Sequence, residues 1–417
     1  MVSVATRWLK SPYIIRLVTY PSQRSPINFA EEPFQVHQPL RHRHFTVFDI
    51  KQGLSYEDEE KNRQILNKVA EKCYLPTNLI MLDLIRKYGG NFRISFSITG
   101  VMLEQLERFN PEVLDSFKRL ADTGCVEFLS ETYYHSLAFL YSMREFREQV
   151  ELHRKKIKAL FGQTPQTFRN TELIYNNDLA RVIEKMHYTA ILAEGADHIL
   201  GWRSPNRVYQ PAGCAKLKLL LRNYRLSDDI AFRFSNRQWP EYPLTADKFA
   251  HWIHQTDAAG QTINLFMDYE TFGEHQWADT GILEFLRAFP GEVLKHPEFR
   301  FQTPMEIARD HNPAAPLDVP NPVSWADVER DLTAWIGNPL QNDAIHALYG
   351  MERKVRKTKN AGILDIWRRL QTSDHFYYMC TKWFADGDVH KYFNPYESPY
   401  HAYINYMNIL ADFSDAI

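Results

Sequence analysis

The chain has 417 residues and a formal net charge of −2, and this near-neutral balance offers no basic footprint for nucleic acid. Its four cysteines lie far apart without a CxxC pair, which argues against a zinc module or a disulfide scaffold. Reduced thiols are typical of the cytoplasm, and no apolar run approaches the ~18 residues of a membrane span. We therefore predict a cytoplasmic protein with no nucleic-acid or membrane partner.

Residues 1–30 form a basic start to the chain. They contain Arg7, Lys10, Arg16 and Arg24 but neither Asp nor Glu. This composition is typical of transit peptides, whereas the charges at 10 and 16 interrupt the apolar stretch that a secretory signal requires. We predict an extension outside the folded domains, which is a targeting segment, a non-core extension or the result of a misplaced start codon.

Short β-rich segments alternate with longer amphipathic segments between residues 31 and 311. Alternation at this length predicts parallel strands joined by crossover helices. Seven or eight such units indicate a closed or nearly closed barrel instead of an open sheet. The predicted strands are Phe34–Leu40, Phe92–Thr99, Val126–Glu131, Thr167–Glu172, Thr189–Glu194, Leu217–Tyr224, Ile263–Asp268 and, more weakly, Phe299–Thr303.

The clearest crossover helix is Ser142–Phe161. Ser142 and Glu145 have the spacing of a capping box, and Gly162 stands where a C-cap glycine belongs. Its apolar side chains recur at helical spacing on one face, which indicates packing against a core.

The composition changes after about residue 310. Residues 311–324 include four prolines, which predicts a linker or an extended wrap, and a helical pattern follows. We therefore predict a barrel over residues 31–311 and a C-terminal helical region over 312–417 that packs on it. The predicted helices of this region are Trp325–Ile336, Asp343–Lys357, Gly362–Leu370 and Tyr400–Phe413. The aromatic side chains expected to be buried there are Trp367, Phe376, Tyr377 and Trp383.

Two acidic residues follow apolar runs at predicted strand ends, Glu172 and Asp268. Catalytic groups of α/β barrels lie at the carboxyl ends of the strands, and glycoside hydrolysis needs two carboxyl groups beside the scissile bond. Aromatic residues make up 14% of the chain, and such rings stack on the apolar faces of sugars. A structural salt bridge would explain either acid alone, whereas the pair favours acid–base chemistry on a carbohydrate.

Further polar and aromatic side chains at strand ends are candidates for binding substrate. Glu127 would share a face with Glu131 in a straight strand, and His135 follows them. An ion network with barrel arginines such as Arg222 explains these acids equally well. The candidate substrate-binding residues are His37, Glu127, Trp202, Asp228, His275 and Asp374.

Histidines at positions 37, 42 and 44 keep a metal-dependent alternative open, although the sequence does not show them converging with carboxylates. The chain has no Gly-rich nucleotide loop and no Gly-x-Ser-x-Gly, which argues against nucleotide chemistry and a serine hydrolase. We predict that the protein needs no metal and no organic cofactor.

Four short motifs occur in order along the chain. They are His37-Gln38-Pro39, Gly124-Cys125-Val126-Glu127, Phe168-Arg169-Asn170-Thr171-Glu172 and Met267-Asp268-Tyr269-Glu270. Together, in this order and at these spacings, they resemble glycoside hydrolase family 57 in its α-amylase-type branch. The resemblance runs from about residue 33 to the end of the chain.

The resemblance implies an incomplete (β/α)7 barrel followed by a helical region, and a retaining mechanism on α-glucans. The resemblance implies that Glu172 is the nucleophile and Asp268 the acid/base. It also implies that His37, Glu127 and Asp374 are the functional residues of the first, second and fifth motifs. Many members carry Trp and Pro just before the nucleophile, where this chain has Asn170 and Thr171. That departure leaves the acceptor and the substrate preference open.

The sequence therefore predicts a retaining hydrolase of α-1,4-glucans, with an α-glucan as partner. A 4-α-glucanotransferase or branching activity is the alternative. Two other interpretations stay open: a metal-dependent deacetylase or mannosidase type on a similar barrel, and a non-catalytic glucan-binding protein. If the first interpretation holds, an ionised Glu172 should raise the pKa of Asp268, because like charges oppose ionisation.

Overall fold

The computed structural model describes residues 27–30, 33–256, 260–382 and 394–417. Trp383 and most of the predicted extension lie outside these ranges. Within the described part of the chain, no helix is both long enough and apolar enough to cross a membrane.

Parallel strands form the centre of the molecule. The strands are β1 (Ile27–Ala30), β2 (Pro33–Val36), β3 (Ile94–Ile98), β4 (Val126–Phe128), β5 (Thr167–Arg169), β6 (Ala190–Glu194), β7 (Tyr209–Pro211), β8 (Lys218–Arg222), β9 (Thr262–Asn264), β10 (Met267–Asp268), β11 (Phe299–Gln302) and β12 (Ala315–Leu317). All the predicted strands are present, most of them shorter than the apolar run that predicted them.

The strands close into a (β/α)7 barrel. β2, β3 and β4 pair in parallel, and β5, β6 and β8 do the same. A single isolated bridge, Ser130–Phe168, joins β4 to β5 among the described residues, so the barrel is incomplete at this seam. β9 pairs with β8 and β10 pairs with β2, so one interrupted strand over 262–268 completes the circle. The predicted fold class is therefore confirmed.

Four strands, β1, β7, β11 and β12, flank the barrel. β1 lies between β9 and β11 and is parallel to both. β7 is antiparallel to β8, and β12 pairs with β7 from within the proline-rich wrap. β1 falls inside the range 1–30 that the sequence assigns to an extension, and the domain boundaries at 30 and 311 stay predictions.

Helices follow most strands and cover the barrel. They are α1 (Glu59–Val69), α2 (Leu75–Tyr88), α3 (Gly100–Phe109), α4 (Pro111–Ala121), α5 (Ala138–Tyr141), α6 (Met143–Phe161), α7 (Asn177–Lys185), α8 (Asp197–Leu200), α9 (Tyr224–Ala231), α10 (Ala246–His254), α11 (Ile282–Val293), α12 (Pro304–Asp310), α13 (Thr333–Ile336), α14 (Pro339–Gly350), α15 (Glu352–Thr358), α16 (Ala361–Arg369), α17 (Ser373–Tyr377) and α18 (Pro399–Asp415). Every residue of β3 and β6 is buried, as expected of parallel strands that helices cover outside and side chains fill inside.

The helix predicted at 142–161 is observed as α6, with one difference at its start. The Ser142 hydroxyl accepts from the Glu145 backbone N–H at 3.2 Å, and Gly162 ends the helix with φ 72°. The second half of the capping box is not formed, because the Glu145 carboxylate binds Arg368 Nε at 2.8 Å and Arg356 Nη2 at 2.7 Å instead. Glu145 is fully buried, and a buried carboxylate without such partners would be strongly destabilising.

These ion pairs join the barrel helix α6 to α15 and α16 of the C-terminal region. Trp367 and Phe376 of that region are fully buried, as predicted, whereas Tyr377 is partly exposed. The predicted helix 343–357 is divided between α14 and α15. The predicted helix 325–336 is wrong over most of its length, because only Thr333–Ile336 is helical and the preceding residues form a loop that enters the pocket described below.

Candidate active site

A cavity of about 260 Å³ opens at the carboxyl ends of the barrel strands. Its wall includes both predicted catalytic acids and four of the six predicted substrate-binding residues. These six residues are His37, Glu172, Asp228, Asp268, His275 and Asp374. The structure therefore brings together side chains that are up to 337 residues apart in the chain.

Glu172 lies just after β5 in a left-handed conformation, with φ 56° and ψ 26°. A non-glycine residue rarely adopts this conformation, and such strain is concentrated at functional sites. The strained turn points the carboxylate into the pocket, where Oε1 contacts His135 Nε2 at 2.8 Å and Oε2 accepts from the Trp325 indole N–H at 2.7 Å. Burial alone would raise the pKa of Glu172, but the hydrogen bond and charge of His135 outweigh it, so the pKa lies below its ordinary value.

His135 is held between two carboxylates. Its Nδ1 contacts Oε2 of the fully buried Glu131 at 3.2 Å, on the side opposite Glu172. Burial alone would lower the pKa of His135. Its hydrogen bonds to the two carboxylates outweigh burial and raise the pKa above its ordinary value, to about 10. We infer that His135 is an imidazolium at neutral pH, and that its charge keeps Glu172 ionised.

Asp268 ends β10 and faces the same pocket. Burial raises its pKa first and the negative charge of Glu172 raises it second, to about 6, although nearby cations including Arg169 lower it. Its carboxyl group accepts no hydrogen bond from any described residue, which leaves it accessible to a ligand. The predicted effect of Glu172 on Asp268 is thus present, and the pKa values of the two carboxyl groups are displaced in opposite directions.

Glu270, the last residue of the fourth motif, supplies a third carboxyl group to the pocket wall, although the sequence analysis assigned it no role in the site. The Tyr74 hydroxyl and the His37 backbone N–H, the latter at 3.4 Å, both donate to its Oε1. Burial and then the charge of Asp268 raise the pKa of Glu270 to about 8. This carboxyl group is therefore fixed in the wall, in contrast to the carboxyl group of Asp268.

His37 and Asp374 connect the barrel to the C-terminal region. His37 Nε2 contacts Asp374 Oδ2 at 2.9 Å, and His37 Nδ1 contacts Thr99 Oγ1 at 2.9 Å. The His37 ring stacks on His135 with 4.1 Å between centroids. Asp374 lies on α17, so the C-terminal helices complete the pocket as well as cover the barrel.

Trp325 forms part of the pocket from the loop that precedes α13. Two guanidinium groups lie near its ring, with Arg169 at 4.6 Å and Arg222 at 5.8 Å from the centroid. Arg222 also binds Asp228 and donates to the Phe266 carbonyl at 2.6 Å, at the interruption between β9 and β10. The indole that contacts Glu172 therefore comes from a distant loop and not from the two positions just before Glu172.

Two predicted substrate-binding residues do not line the pocket. Glu127 accepts from Thr167 Oγ1 at 2.6 Å and from the Met305 backbone N–H at 2.9 Å, so its carboxylate ties β4 to neighbouring segments. β4 ends at Phe128, and the strand alternation that placed Glu127 beside Glu131 does not continue. Trp202 is 92% exposed outside the pocket. The residue from the second motif region that does line the pocket is His135.

One group of side chains in the described part of the chain has donor atoms close enough for a metal ion. It comprises His37, His135 and Asp374, whose ligand atoms lie within 4.8 Å of one another. Each of these atoms already has a protein partner, since His37 pairs with Asp374 and His135 bridges two carboxylates. The geometry is thus explained by hydrogen bonds and ion pairs within the protein.

A barrel whose rim pocket holds two carboxyl groups with opposite pKa shifts has the pair of groups that glycoside hydrolysis requires. The model of the family described as "Glycosyl hydrolase family 57" matches residues 33–320, and the chain belongs to this family. The chain is 46% identical over 393 residues to a Methanocaldococcus jannaschii protein described as "Putative alpha-amylase", covering 91% of this chain and 83% of the relative.

Several solved structures have a similar fold. A branching enzyme of family 57 from Thermococcus kodakaraensis gives a TM-score of 0.65 at 14% identity, over 85% of this chain and 86% of that one. An alpha-amylase from Thermotoga maritima gives 0.62 at 11% identity, over 94% and 93%. A 4-alpha-glucanotransferase from Thermococcus litoralis gives 0.65 at 14% identity over 84% of this chain, which spans 56% of that protein's length. These likenesses establish the fold.

Proposed function

We propose that the protein is a retaining hydrolase of α-1,4-glucans, in which Glu172 is the nucleophile and Asp268 the acid/base. The position of both carboxyl groups in one pocket carries the proposal. The opposite displacement of their pKa values supports it, because between about pH 4.5 and about pH 6 Glu172 is ionised and Asp268 is protonated. The name of the Methanocaldococcus jannaschii relative supports an α-glucan as substrate.

The first step forms a covalent bond to Glu172. Its carboxylate attacks the anomeric carbon from the β face while Asp268 donates a proton to the leaving glycosidic oxygen, so the α-bond breaks as a β-glycosyl ester forms. In the second step Asp268, now ionised, takes a proton from water, which attacks from the α face and releases Glu172. The two inversions give net retention.

The remaining polar groups of the pocket bind the sugar in this proposal. His37, Asp228, His275 and Asp374 line the cavity and can exchange hydrogen bonds with glucose hydroxyls. Burial lowers the pKa of His275 to about 4, so its ring is neutral at physiological pH and can both donate and accept.

Product analysis on maltooligosaccharides and glycogen tests the proposal. We expect shorter maltooligosaccharides whose new reducing ends are α-anomers when observed by NMR before mutarotation. Initial β-anomers would exclude retention. Products longer than the substrate would establish transfer to a sugar instead of water, and no turnover of any α-glucan would exclude the proposed activity.

A pH dependence follows from the same two groups. We expect kcat/KM on maltooligosaccharides to fall about tenfold per pH unit above pH 6, because free Asp268 then loses the proton it must donate. The acid limb should lie below pH 4.5, the ordinary pKa of glutamic acid, since the pKa of Glu172 is lowered from it. A pH–rate profile measures both limbs, and constant kcat/KM between about pH 6 and about pH 8 would contradict the role of Asp268.

A further inference from the structure

Two arginines, one from the barrel and one from the C-terminal region, share the same two acidic partners. Arg222 ends β8, and Arg330 lies in the loop before α13. Arg222 Nη1 lies 3.1 Å and Arg330 Nη1 lies 3.5 Å from Oε2 of Glu194, whose side chain is fully buried. Asp228 also binds both, through Arg222 Nη2 at 2.5 Å and Arg330 Nη2 at 3.5 Å. These four side chains are called the arginine network below.

One end of the arginine network reaches the strand that carries the proposed acid/base. Arg222 Nε donates to the carbonyl of the buried Phe266 at 2.6 Å, at the interruption between β9 and β10. A buried carbonyl at a break in a strand needs a partner from outside the strand ladder. Arg222 supplies that partner, and it therefore fixes the chain two residues before Asp268.

The other end reaches the proposed nucleophile. Arg330 Nη1 donates to the Trp325 carbonyl at 2.7 Å. Trp325 in turn donates twice to Glu172, from its backbone N–H to the carbonyl at 3.2 Å and from its indole N–H to Oε2 at 2.7 Å. Arg330 has φ 54°, and a non-glycine residue keeps this left-handed conformation only where its surroundings fix it. The loop is thus built to hold the indole against the carboxylate.

We propose that the arginine network is a positioning device that holds the carboxyl groups of Glu172 and Asp268 at a fixed separation. The barrel supplies the arm to the acid/base, and the C-terminal region supplies the arm to the nucleophile. A retaining enzyme needs its two carboxyl groups about 5–5.5 Å apart, and a misplacement of about 1 Å can cost on the order of 10²-fold in rate. Arg330 does not line the cavity, so it acts on the reaction through the residues that it holds. This role rests on the proposed function.

A double-mutant cycle of Arg330→Ala and Trp325→Phe tests whether the two residues act as one arm. We expect each single variant to lower kcat and kcat/KM on maltooligosaccharides equally, by about tenfold to 100-fold, because a contact that positions the nucleophile acts on the transition state. The double variant should be no slower than the slower single variant, because both changes break the same link. Losses that multiply in the double variant, or a raised KM with unchanged kcat, would overturn the network.

Trp367→Phe is the matched control for Trp325→Phe. The buried Trp367 indole donates to the Leu348 carbonyl at 2.9 Å, so this variant also loses one indole hydrogen bond in the C-terminal region, outside the pocket. We expect its melting temperature to fall and its kcat to equal that of the wild type. A loss of kcat as large as that of Trp325→Phe would reduce the role of Trp325 to general stability and overturn the network.

The pKa of Glu172 gives a readout that needs no turnover. It can be measured by ¹³C NMR of protein labelled at the glutamate carboxyl carbon, with Glu172→Gln to assign the signal. The indole hydrogen bond lowers this pKa, so Trp325→Phe should raise it. Arg330→Lys should raise it as well, and because this variant keeps the positive charge, a rise reports the lost contact. The other charged groups that act on Glu172 are His135, Arg169, Asp268 and Asp374, and both variants leave them in place.

The two measurements separate the network from the proposed chemistry. A raised pKa of Glu172 in both variants would support the network even if the wild type hydrolysed no glucan, which would overturn the proposed function alone. An unchanged pKa in both variants would overturn the network even if the wild type hydrolyses glucans with retention.

Discussion

Glu172→Ala should lose turnover on every α-glucan, by on the order of 10⁴-fold in kcat. Without this carboxylate no covalent intermediate can form, and the imidazolium of His135 loses one of its two counterions. Steady-state rates on maltooligosaccharides measure the effect. Glu127→Gln is the matched control, because Glu127 is a carboxylate of the neighbouring strand that binds Thr167 and Met305 outside the pocket.

Azide identifies the missing group in Glu172→Ala. A small anion that occupies the space of the carboxylate attacks the anomeric carbon from the β face, so the rescued product should be the β-glycosyl azide. An α-azide from this variant would assign the nucleophile to another residue. Full activity without azide would remove Glu172 from the chemistry.

Asp268→Ala should be slowed by about 10²–10⁴-fold on glucans, whose leaving oxygen needs a proton. It should retain far more activity on an aryl glycoside, because a good leaving group departs without full protonation. Comparing the two substrates therefore isolates the acid role. Equal losses on both substrates would indicate that Asp268 supports the pocket without donating a proton.

Azide should give a different product with Asp268→Ala, because this variant is blocked at the second step. Azide needs no general base, so it should attack the accumulated glycosyl-enzyme from the α face and yield the α-glycosyl azide. The two variants should thus give opposite anomers of the same product. An exchange of the two anomers would reverse the roles of Glu172 and Asp268.

The barrel could be predicted from the sequence because parallel strands are short apolar runs at regular intervals. The ends of the strands could not be predicted as well. The predicted strand Phe34–Leu40 ends at Val36, since His37 and the following residues turn away to form the rim. The interruption between β9 and β10 could not be predicted, because its partner is the side chain of Arg222, more than 40 residues away.

A site residue could be predicted from the sequence only where its neighbours in the chain form a recognisable pattern. Glu172 and Asp268 follow apolar runs, so their position at the rim was predictable. Trp325 gives no such signal, because it lies 153 positions after Glu172 in the chain and belongs to a segment with a helix-like pattern. Glu127 and His135 lie in one motif region, and only the end of β4 decides which of them lines the pocket.

Capture of the covalent intermediate tests the central claim most directly. Asp268→Ala treated with an α-maltosyl fluoride should form the glycosyl-enzyme, because fluoride leaves without an acid, and should accumulate it, because no base activates water. Mass spectrometry of the digested protein should then place one maltosyl group on the peptide that contains Glu172, and Asp268→Ala/Glu172→Gln should carry none. A maltosyl group on any other residue, or complete conversion with inversion and no adduct, would contradict Glu172 as the nucleophile of a retaining enzyme.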